Sequence, residues 1–261
     1  GSEMCIRDRI KRVLRPETKA LYIETPSNPM MEITDLSACA ELAKEHNLLM
    51  ITDNTFLSPY LQNPIALGAD IVIHSASKFL CGHNDTIAGF VCSAKEELAA
   101  KIRLIAKTTG GCLSPFDSWL VMRGIKTLAV RMERQQENAG NIARWLTEQK
   151  KVRKVYYAGL ETHPGYEINA KQARGAGAMI SFDVDSVETA QRVLEKVRVI
   201  TFAESLGGTE SLITYPMKQT HPDVPKEWRE KLGITDTLLR LSVGLEHVDE
   251  LIADLEQAFV S

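Results

Sequence analysis

The chain has 261 residues, a formal net charge of −3 and a hydrophobic fraction of 44%. This length and composition are typical of an ordinary globular protein and argue against disorder. Basic and acidic residues are nearly balanced and interspersed, which gives no footprint for nucleic acid or for an anionic membrane surface. The apolar runs are too short to cross a bilayer, so we expect a protein of the cytosol that acts on small molecules.

The first residues and the cysteines give little functional information. Five cysteines are widely spaced and form no CxxC pair, which favours reduced thiols over a disulfide framework or a zinc site. Gly1 and Ser2 resemble a cloning scar, and residues 3–9 fit none of the elements predicted after them. We therefore predict that residues 1–9 are a tag or an artefact.

The first half of the chain alternates short apolar runs with helical patterns, which is typical of parallel strands joined by crossover helices. The apolar character of these strands indicates burial on both faces of the sheet. The predicted strands are residues 20–24, 48–52, 71–74 and 89–93, and the predicted helices are residues 35–46 and 95–107. This half is therefore predicted to be α/β.

A long helical pattern follows at residues 115–149, with Gly124 as a kink or a close-packing point. A second, smaller α/β unit is predicted after it. Its strands are residues 152–157, 178–184, 199–202, 212–215 and 239–243, and its helices are residues 187–197 and 248–259. We place the boundary near residue 128, which gives a large domain at residues 1–128 and a small domain at residues 129–261.

Two ionisable residues, Asp53 and Lys78, each follow a predicted strand of the first unit. Ligands of open α/β sheets bind outside the carboxyl ends of the strands, so adjacent strands would bring the two side chains to one crevice. Taken singly, a lysine after a strand is usually a solvated surface residue, and an aspartate such as Asp53 is often only a turn or helix-cap residue. Their surroundings favour a functional interpretation.

Ser75 and Ser77 precede Lys78 and offer hydroxyl groups to an anion such as phosphate. A lysine amine forms a Schiff base with an aldehyde, and a carboxylate facing a pyridine nitrogen keeps that nitrogen protonated. The four residues together meet the chemical demands of pyridoxal 5′-phosphate. We predict that Lys78 captures its aldehyde, while Asp53 faces its ring.

Arg240 interrupts an apolar strand, where a buried guanidinium needs a carboxylate partner from the protein or from a substrate. We favour a substrate, because arginine binds carboxylates in a planar, bidentate way. Ser205 precedes a Gly-Gly pair and by itself is as typical of a turn as of a binding site. No metal site is predicted, since His83 and Asp85 lack a third ligand at suitable spacing, and His74 is expected to satisfy hydrogen bonds in the core.

Several separated motifs resemble those of a known family. They are ETPSNP at residues 24–29, DNTFLSPYLQNPIALGAD at 53–70, HSASKFLCGHND at 74–85, AESLGGTESL at 203–212 and LRLSVGLE at 239–246. The chain resembles the Cys/Met-metabolism pyridoxal-phosphate family, which includes cystathionine γ-synthase, cystathionine β- and γ-lyases, methionine γ-lyase and O-acetylhomoserine sulfhydrylase. This resemblance implies the fold of a type I pyridoxal-phosphate-dependent transferase, aspartate aminotransferase-like, with a mostly parallel sheet domain and a smaller C-terminal α/β domain.

The resemblance also implies a role for each cofactor residue. Lys78 would be the catalytic residue and would hold pyridoxal 5′-phosphate as a Schiff base, while Asp53 would pair with the pyridinium nitrogen. Ser75 and Ser77 would bind the phosphate; the family often has Thr at the second of these positions. Asn28 would lie beside the phenolic oxygen of the ring.

Ser205 and Arg240, by the same resemblance, would bind the α-carboxylate of an amino-acid substrate. The implied activity is the formation or cleavage of a C–S bond in methionine and cysteine metabolism. Glu204 and the stretch at residues 214–225 favour cystathionine γ-synthase, with cystathionine β-lyase or γ-lyase as the alternative. An intact member is expected to be a homo-oligomer, a dimer of dimers, with no nucleic-acid partner and no membrane.

Parts of the family site that lie upstream of the matched region have no counterpart here: a ring-stacking tyrosine, a glycine-containing phosphate loop and a Tyr/Arg pair from a second subunit. Residues 1–128 would then be a partial cofactor-binding domain. We expect an incomplete phosphate site, an exposed sheet edge and weak cofactor binding. The alternative from another class is a truncated, non-catalytic fragment or pseudoenzyme that keeps the family fold.

Overall fold

A computed structural model of the chain describes residues 3–219 and 225–260. These residues form two sheets. The first has the strand order β1-β2-β3-β4 and contains β1 (Ala20–Glu24), β2 (Leu49–Asp53), β3 (Ile71–Ser75) and β4 (Gly89–Ser93). The second has the order β5-β6-β9-β8-β7 and contains β5 (Val152–Tyr156), β6 (Met179–Val184), β7 (Thr201–Phe202), β8 (Leu212–Thr214) and β9 (Leu238–Ser242).

Helices connect and cover the strands. They are α1 (Glu3–Val13), α2 (Leu36–Glu45), α3 (Ser58–Leu61), α4 (Glu96–Thr109), α5 (Pro115–Ile125), α6 (Leu128–Thr147), α7 (Tyr166–Gln172), α8 (Val187–Lys196), α9 (Lys226–Lys231) and α10 (Val248–Val260). Side-chain oxygens of Asp35, Ser114 and Ser186 cap α2, α5 and α8 by accepting hydrogen bonds from the first turn. None of these described helices is both long enough and apolar enough to span a membrane.

The first sheet confirms the predicted parallel pairing of β1, β2 and β3, but the prediction was wrong for β4. In register, Glu24 pairs with Asp53 and Asp53 with Ile73, whereas Ser75 pairs with Gly89 in an antiparallel ladder. The segment between β3 and β4 contains one short helical turn and no crossover helix, so the chain can only return antiparallel. The side chains of β4 are also largely exposed rather than covered on both faces.

Two other expectations require correction. The helical pattern at residues 115–149 is divided into α5 and α6 by Lys126 and Thr127. Gly124 serves as a close-packing point, because a Cβ there would collide with the carbonyl of Cys81. Residues 3–9 were assigned to no element, yet they belong to α1, which continues the helical apolar pattern of the residues that follow. Their origin as a tag or artefact stays a prediction, and Gly1 and Ser2 lie outside the described residues.

The main hydrophobic core lies around α6 and the second sheet. Met132, Ala139, Ile142 and Leu146 form the apolar buried face of α6, and this face packs into the same core as side chains of β6 and β9. The core extends to Phe79 and Leu80, which directly follow Lys78, so the Lys78 segment packs into the core of the second unit. A separate, smaller core, which includes Leu21, Met50 and Val72, lies between the first sheet and α2. The candidate site therefore rests on a densely packed support.

Candidate active site

The candidate site begins at the carboxyl ends of β2 and β3. Asp53 is the last residue of β2, and Ser75 is the last residue of the neighbouring parallel strand β3. Lys78 lies in the helical turn that follows at once, Ala76–Leu80, which we call the Lys78 turn. The predicted adjacency of the strands that precede Asp53 and Lys78 is confirmed.

The Lys78 turn has an unusual backbone. Lys78 itself has φ −93° and ψ −131°, outside the helical region. Two backbone hydrogen bonds close the turn, from the Cys81 amide to the Ala76 carbonyl at 2.9 Å and from the Gly82 amide to the Lys78 carbonyl at 2.7 Å. This geometry directs the amine inward, where Lys78 Nζ donates a hydrogen bond to Ser205 Oγ at 3.0 Å.

The Lys78 amine is half-buried and lies near charges of both signs. Burial lowers its pKa, and the positive charge of Arg240 lowers it further, against the opposing effect of Glu204. A larger fraction of the amine is therefore neutral, and thus nucleophilic, at a given pH than for an exposed lysine.

Arg240 lies on β9 and is almost fully buried, with 2% of its surface exposed. Its Nη1 donates to Asn28 Oδ1 at 2.9 Å, and its Nη2 donates to the Ser205 carbonyl at 3.0 Å and to Thr214 Oγ1 at 3.2 Å. All three acceptors are uncharged. Burial lowers the pKa of Arg240 to about 10, against the attraction of Glu204 and Glu24, so the guanidinium stays protonated at neutral pH.

Arg240 also has unused hydrogen-bonding capacity. Its buried Nε has no hydrogen-bond partner among the described residues. A buried, unsatisfied donor on a cation that contacts only neutral oxygens is costly unless an anion binds there. The arrangement fits the sequence-based expectation that Arg240 binds a substrate carboxylate rather than a protein carboxylate.

Four of the predicted site residues are thus joined in one hydrogen-bond network: Asn28, Arg240, Ser205 and Lys78. Ser205 is the central member, because its carbonyl contacts the arginine and its hydroxyl contacts the lysine. It has φ +86°, in the left-handed region that non-glycine residues rarely adopt. Such a conformation persists only where surrounding contacts hold it, and it is common at functional sites.

Asp53 belongs to a second group of hydrogen bonds. Its carboxylate accepts from Tyr22 Oη at 3.2 Å and from the Thr55 amide at 3.0 Å. Thr55 Oγ1 in turn accepts from the Ser75 amide at 2.8 Å. Thr55 therefore links the carboxyl ends of β2 and β3, and no hydrogen bond joins Asp53 directly to Lys78 within the described chain.

The two predicted phosphate ligands differ in their present contacts. Ser77 Oγ accepts from the Ala88 amide at 2.9 Å and donates to the Ala88 carbonyl in a long hydrogen bond of 3.4 Å, which an anion could replace. The hydroxyl of Ser75 makes no hydrogen bond within the part of the chain that the structure describes. Both side chains are half-buried, so they could donate to a phosphate without losing a strong internal bond.

Glu24 pairs in register with Asp53 and was given no role from the sequence, although it begins the ETPSNP motif. Burial of the carboxyl group and the negative charge of Asp53 raise the pKa of Glu24 to about 7, against the charge of Arg240. The residue as a whole is nevertheless exposed, so the carboxyl group is only partly shielded from solvent. Two carboxylates thus lie at the ends of adjacent strands, where repulsion favours a proton on one of them.

His74 is buried as predicted, but it does not satisfy all its hydrogen bonds, because Nδ1 has no partner among the described residues. Burial lowers its pKa, against the charge of Asp53 and a hydrogen bond with the Asn54 backbone. Within residues 3–219 and 225–260, no three His, Cys, Asp or Glu side chains come together as metal ligands.

Sequence reasoning missed Tyr22, Thr55, Thr214 and Arg131. The Asx-type spacing of Asp53 and Thr55 was a usable signal, since an aspartate often accepts from the amide two residues on. Arg131 occupies a position where the helical pattern requires an apolar residue. Tyr22 and Thr214 reach the site only through strand pairing, which their local sequence does not indicate.

Comparison with a profile of known sequences identifies the protein family of this chain. The profile of the Cys/Met metabolism PLP-dependent enzyme family matches residues 2–260. This chain belongs to that family. The resemblance inferred from the separated motifs is thereby confirmed.

Individual members of the family agree with this assignment. A cystathionine beta-lyase of Lactococcus lactis is 50% identical over 251 residues, which cover 96% of this chain and 66% of the relative. A cystathionine gamma-synthase of Haemophilus influenzae is 48% identical over 252 residues, 97% of this chain and 64% of the relative. The chain thus spans just under two thirds of the length of these curated relatives.

A solved structure supports the fold. The crystal structure of cystathionine gamma-lyase from Lactobacillus plantarum, complexed with L-serine, matches with a TM-score of 0.94 at 47% identity. The match covers 97% of this chain and 66% of that one. The expected type I pyridoxal-phosphate fold is confirmed.

Proposed function

We propose that this chain forms the lysine and arginine part of a site for pyridoxal 5′-phosphate and an amino-acid substrate. The observation that carries the proposal is that Lys78 and Arg240 both contact Ser205. Lys78 Nζ contacts Ser205 Oγ at 3.0 Å, and Arg240 Nη2 contacts the Ser205 carbonyl at 3.0 Å. An amine that can capture an aldehyde therefore lies beside a buried cation that can bind a carboxylate.

The residues present fit the cofactor. Ser75 has an unengaged hydroxyl, and Ser77 could exchange its long hydrogen bond to the Ala88 carbonyl for one to the phosphate. Asp53 would face the pyridine nitrogen from the end of β2. Asn28 would contact the phenolic oxygen. When bound, the cofactor would supply an aldehyde that captures amines and a ring that withdraws electrons from the α-carbon of the substrate.

Three side chains of this chain have separate roles in the proposed reaction. Arg240 binds the substrate α-carboxylate in the plane of its guanidinium, with the unpartnered Nε as one donor, which fixes the orientation of the α-carbon. Lys78, whose pKa is lowered by burial and by Arg240, gives up its proton readily and can then take one up at Nζ. Ser205 holds the amine in place between these events.

The proposed reaction is C–S bond formation or cleavage on a sulfur amino acid, most specifically the cystathionine γ-synthase reaction. Relatives named as β-lyase and γ-synthase are 50% and 48% identical to the chain, and the matched γ-lyase structure is 47% identical. These values are too close to select one activity. The stretch at residues 214–225 that favours the synthase is only partly described, because residues 220–224 lie outside the structure's description.

Product analysis of the full-length protein separates the three activities. We expect cystathionine from an acylated homoserine plus cysteine. Pyruvate and homocysteine from cystathionine would instead establish the β-lyase, and 2-oxobutyrate and cysteine would establish the γ-lyase.

Borohydride reduction in the presence of pyridoxal 5′-phosphate, followed by peptide mapping, tests the site itself in this chain. We expect the label on Lys78, with the Lys78→Ala variant unlabelled. The Lys126→Ala variant, altered at the boundary between α5 and α6, is the matched control and should label like the parent chain. A parent chain that carries no label on Lys78 would establish the non-catalytic fragment or pseudoenzyme instead.

The proposal includes a homo-oligomeric state in the cytosol for the intact protein. Support comes from large apolar side chains that α4 and α5 leave exposed: Leu104, Ile105, Phe116, Trp119 and Met122. Large exposed apolar side chains that cluster on a surface are typical of protein interaction sites. Light scattering of the full-length protein should give a mass of several subunits, and a monomer would contradict the assignment.

A further inference from the structure

A buried arginine on α6 contacts the segment that carries Lys78. Arg131 has 3% of its surface exposed, and burial lowers its pKa. A buried cation is costly unless its donors are satisfied. The chain therefore retains a charged group at a position where the other inward-facing residues of α6, such as Leu128 and Met132, are mostly apolar.

The donors of Arg131 are satisfied by oxygens of three neighbouring segments. Nη1 donates to the Phe79 carbonyl at 2.8 Å, and Nη2 donates to the Gly124 carbonyl at 2.8 Å and more weakly to that of Leu80 at 3.4 Å. Nε donates to Thr127 Oγ1 at 3.1 Å. One guanidinium thus bonds the end of the Lys78 turn, the end of α5 and the start of α6.

Two glycines show how closely these parts approach each other. Gly82 has φ +74°, and a Cβ there would collide with the guanidinium of Arg131. Gly124 leaves room for the Cys81 carbonyl, with which a Cβ would also collide. No side chain fits between the Lys78 turn and the two helices, so the contact with Arg131 is direct.

The Lys78 turn needs such support. The non-helical backbone of Lys78 interrupts the regular hydrogen bonding of a helix, and an interrupted turn leaves carbonyls without internal partners. We infer that Arg131 is a positioning residue, which fixes the Lys78 turn to α5 and α6 and thereby holds the amine in reach of its reaction partner. The inference rests on the proposed function of Lys78 as the reactive amine.

Hydrogen exchange tests, without any cofactor, whether Arg131 fixes the Lys78 turn to α5 and α6. In the full chain, Arg131→Met should speed the exchange of the Cys81 and Gly82 amides, which close the turn, on the order of tenfold. Amides of β9 should keep their parent rates, because a merely structural loss would raise exchange throughout. Arg134→Met is the matched control, since Arg134 lies on the same helix and is exposed.

The rate at which borohydride traps a label on Lys78 tests whether Arg131 holds the amine in a reactive position. Misplacing a reacting group slows its reaction, so Arg131→Met should label on the order of tenfold more slowly at every pH. The pH midpoint of labelling should stay unchanged, because the charges that act on the Lys78 pKa are those of Arg240 and Glu204. Arg134→Met should label like the parent chain.

Arg131→Lys keeps the charge without the planar fork and serves as the test if the Met variant does not fold. We expect turn protection and labelling rates below those of the parent chain. Parent-like exchange and parent-like labelling in Arg131→Lys and Arg131→Met would overturn the inference. If the parent chain itself is not labelled at Lys78, the proposed function fails, while the exchange rates still decide whether Arg131 fixes the turn.

Discussion

Glu24 and Asp53 end the adjacent strands β1 and β2, and their interaction predicts how the stability of the protein depends on pH. The pKa of Glu24 is raised from its ordinary value of 4.5 to about 7, first by burial and then by Asp53. Over that interval the folded chain binds more protons at this group than the unfolded chain does. The contribution of Glu24 to stability is therefore present at low pH and is lost as the pH rises toward 7.

Replacing Glu24 by Gln should remove this dependence. Urea unfolding of the parent chain between pH 4.5 and 7 should show a decline in the free energy of unfolding that the Glu24→Gln variant lacks. Glu97→Gln, at an exposed position of α4, is the control and should follow the parent chain. Equal slopes in parent and Glu24→Gln would contradict the raised pKa.

Arg240 sets the charge environment of the reactive amine. Arg240→Met removes a positive charge that lowers the pKa of Lys78, so the pKa of that lysine should rise. At neutral pH the fraction of neutral amine falls, and labelling of Lys78 should slow with its pH midpoint displaced upward. A profile of labelling rate against pH measures this, with Arg192→Met as a distant control. A downward or absent displacement would refute the charge effect.

At the scale of elements, Gly124 determines how closely α5 approaches the Lys78 turn. A Cβ at this position would collide with the Cys81 carbonyl, so Gly124→Ala should lower the free energy of unfolding by about 1–3 kcal/mol. Gly140→Ala, in the interior of α6, meets only the end of a flexible side chain at 3.6 Å. It should instead stabilise the chain by up to about 1 kcal/mol, because alanine favours helices.

Calorimetric or denaturant unfolding of both alanine variants gives the comparison directly. If Gly124→Ala stabilises the chain as Gly140→Ala does, α5 does not pack against the Lys78 turn as described. Loss of stability together with slower labelling of Lys78 would show that the packing also serves the site.

The strands that carry the site could be predicted because their apolar runs end at Asp53 and Ser75. The antiparallel direction of β4 could not, since a short strand has the same side-chain pattern in either direction and only its connection to β3 distinguishes them. Arg131 was missed because an arginine on a helix usually faces solvent. Its role depends on carbonyls of the Lys78 turn, more than fifty positions away.

At the scale of the whole molecule, the network of Asn28, Lys78, Ser205 and Arg240 joins residues that are far apart in sequence. The residues alone indicated Lys78 and Arg240, together with Asp53 and the two serines, whereas Asn28 and the binding role of Ser205 came from the resemblance to the family. The division into domains at residues 1–128 and 129–261 stays a prediction, because the main core is shared across that boundary.

Cofactor binding should appear as a change in the stability of the whole chain. A ligand that binds only the folded state stabilises it by about 2.7 kcal/mol at one hundred times its dissociation constant. Because we expect weak binding, pyridoxal 5′-phosphate should raise the melting temperature only at high concentration, and Lys78→Ala should remove the effect. A large shift at stoichiometric cofactor would contradict weak binding.

The sharing of Ser205 by Lys78 and Arg240 has a consequence for the order of events. A carboxylate bound to Arg240 would offset the positive charge that lowers the pKa of Lys78, so the amine would hold a proton more firmly once a substrate is seated. By thermodynamic linkage, protonation of the amine and affinity for the carboxylate then strengthen each other. The lysine would become a stronger base only when there is a substrate proton to accept.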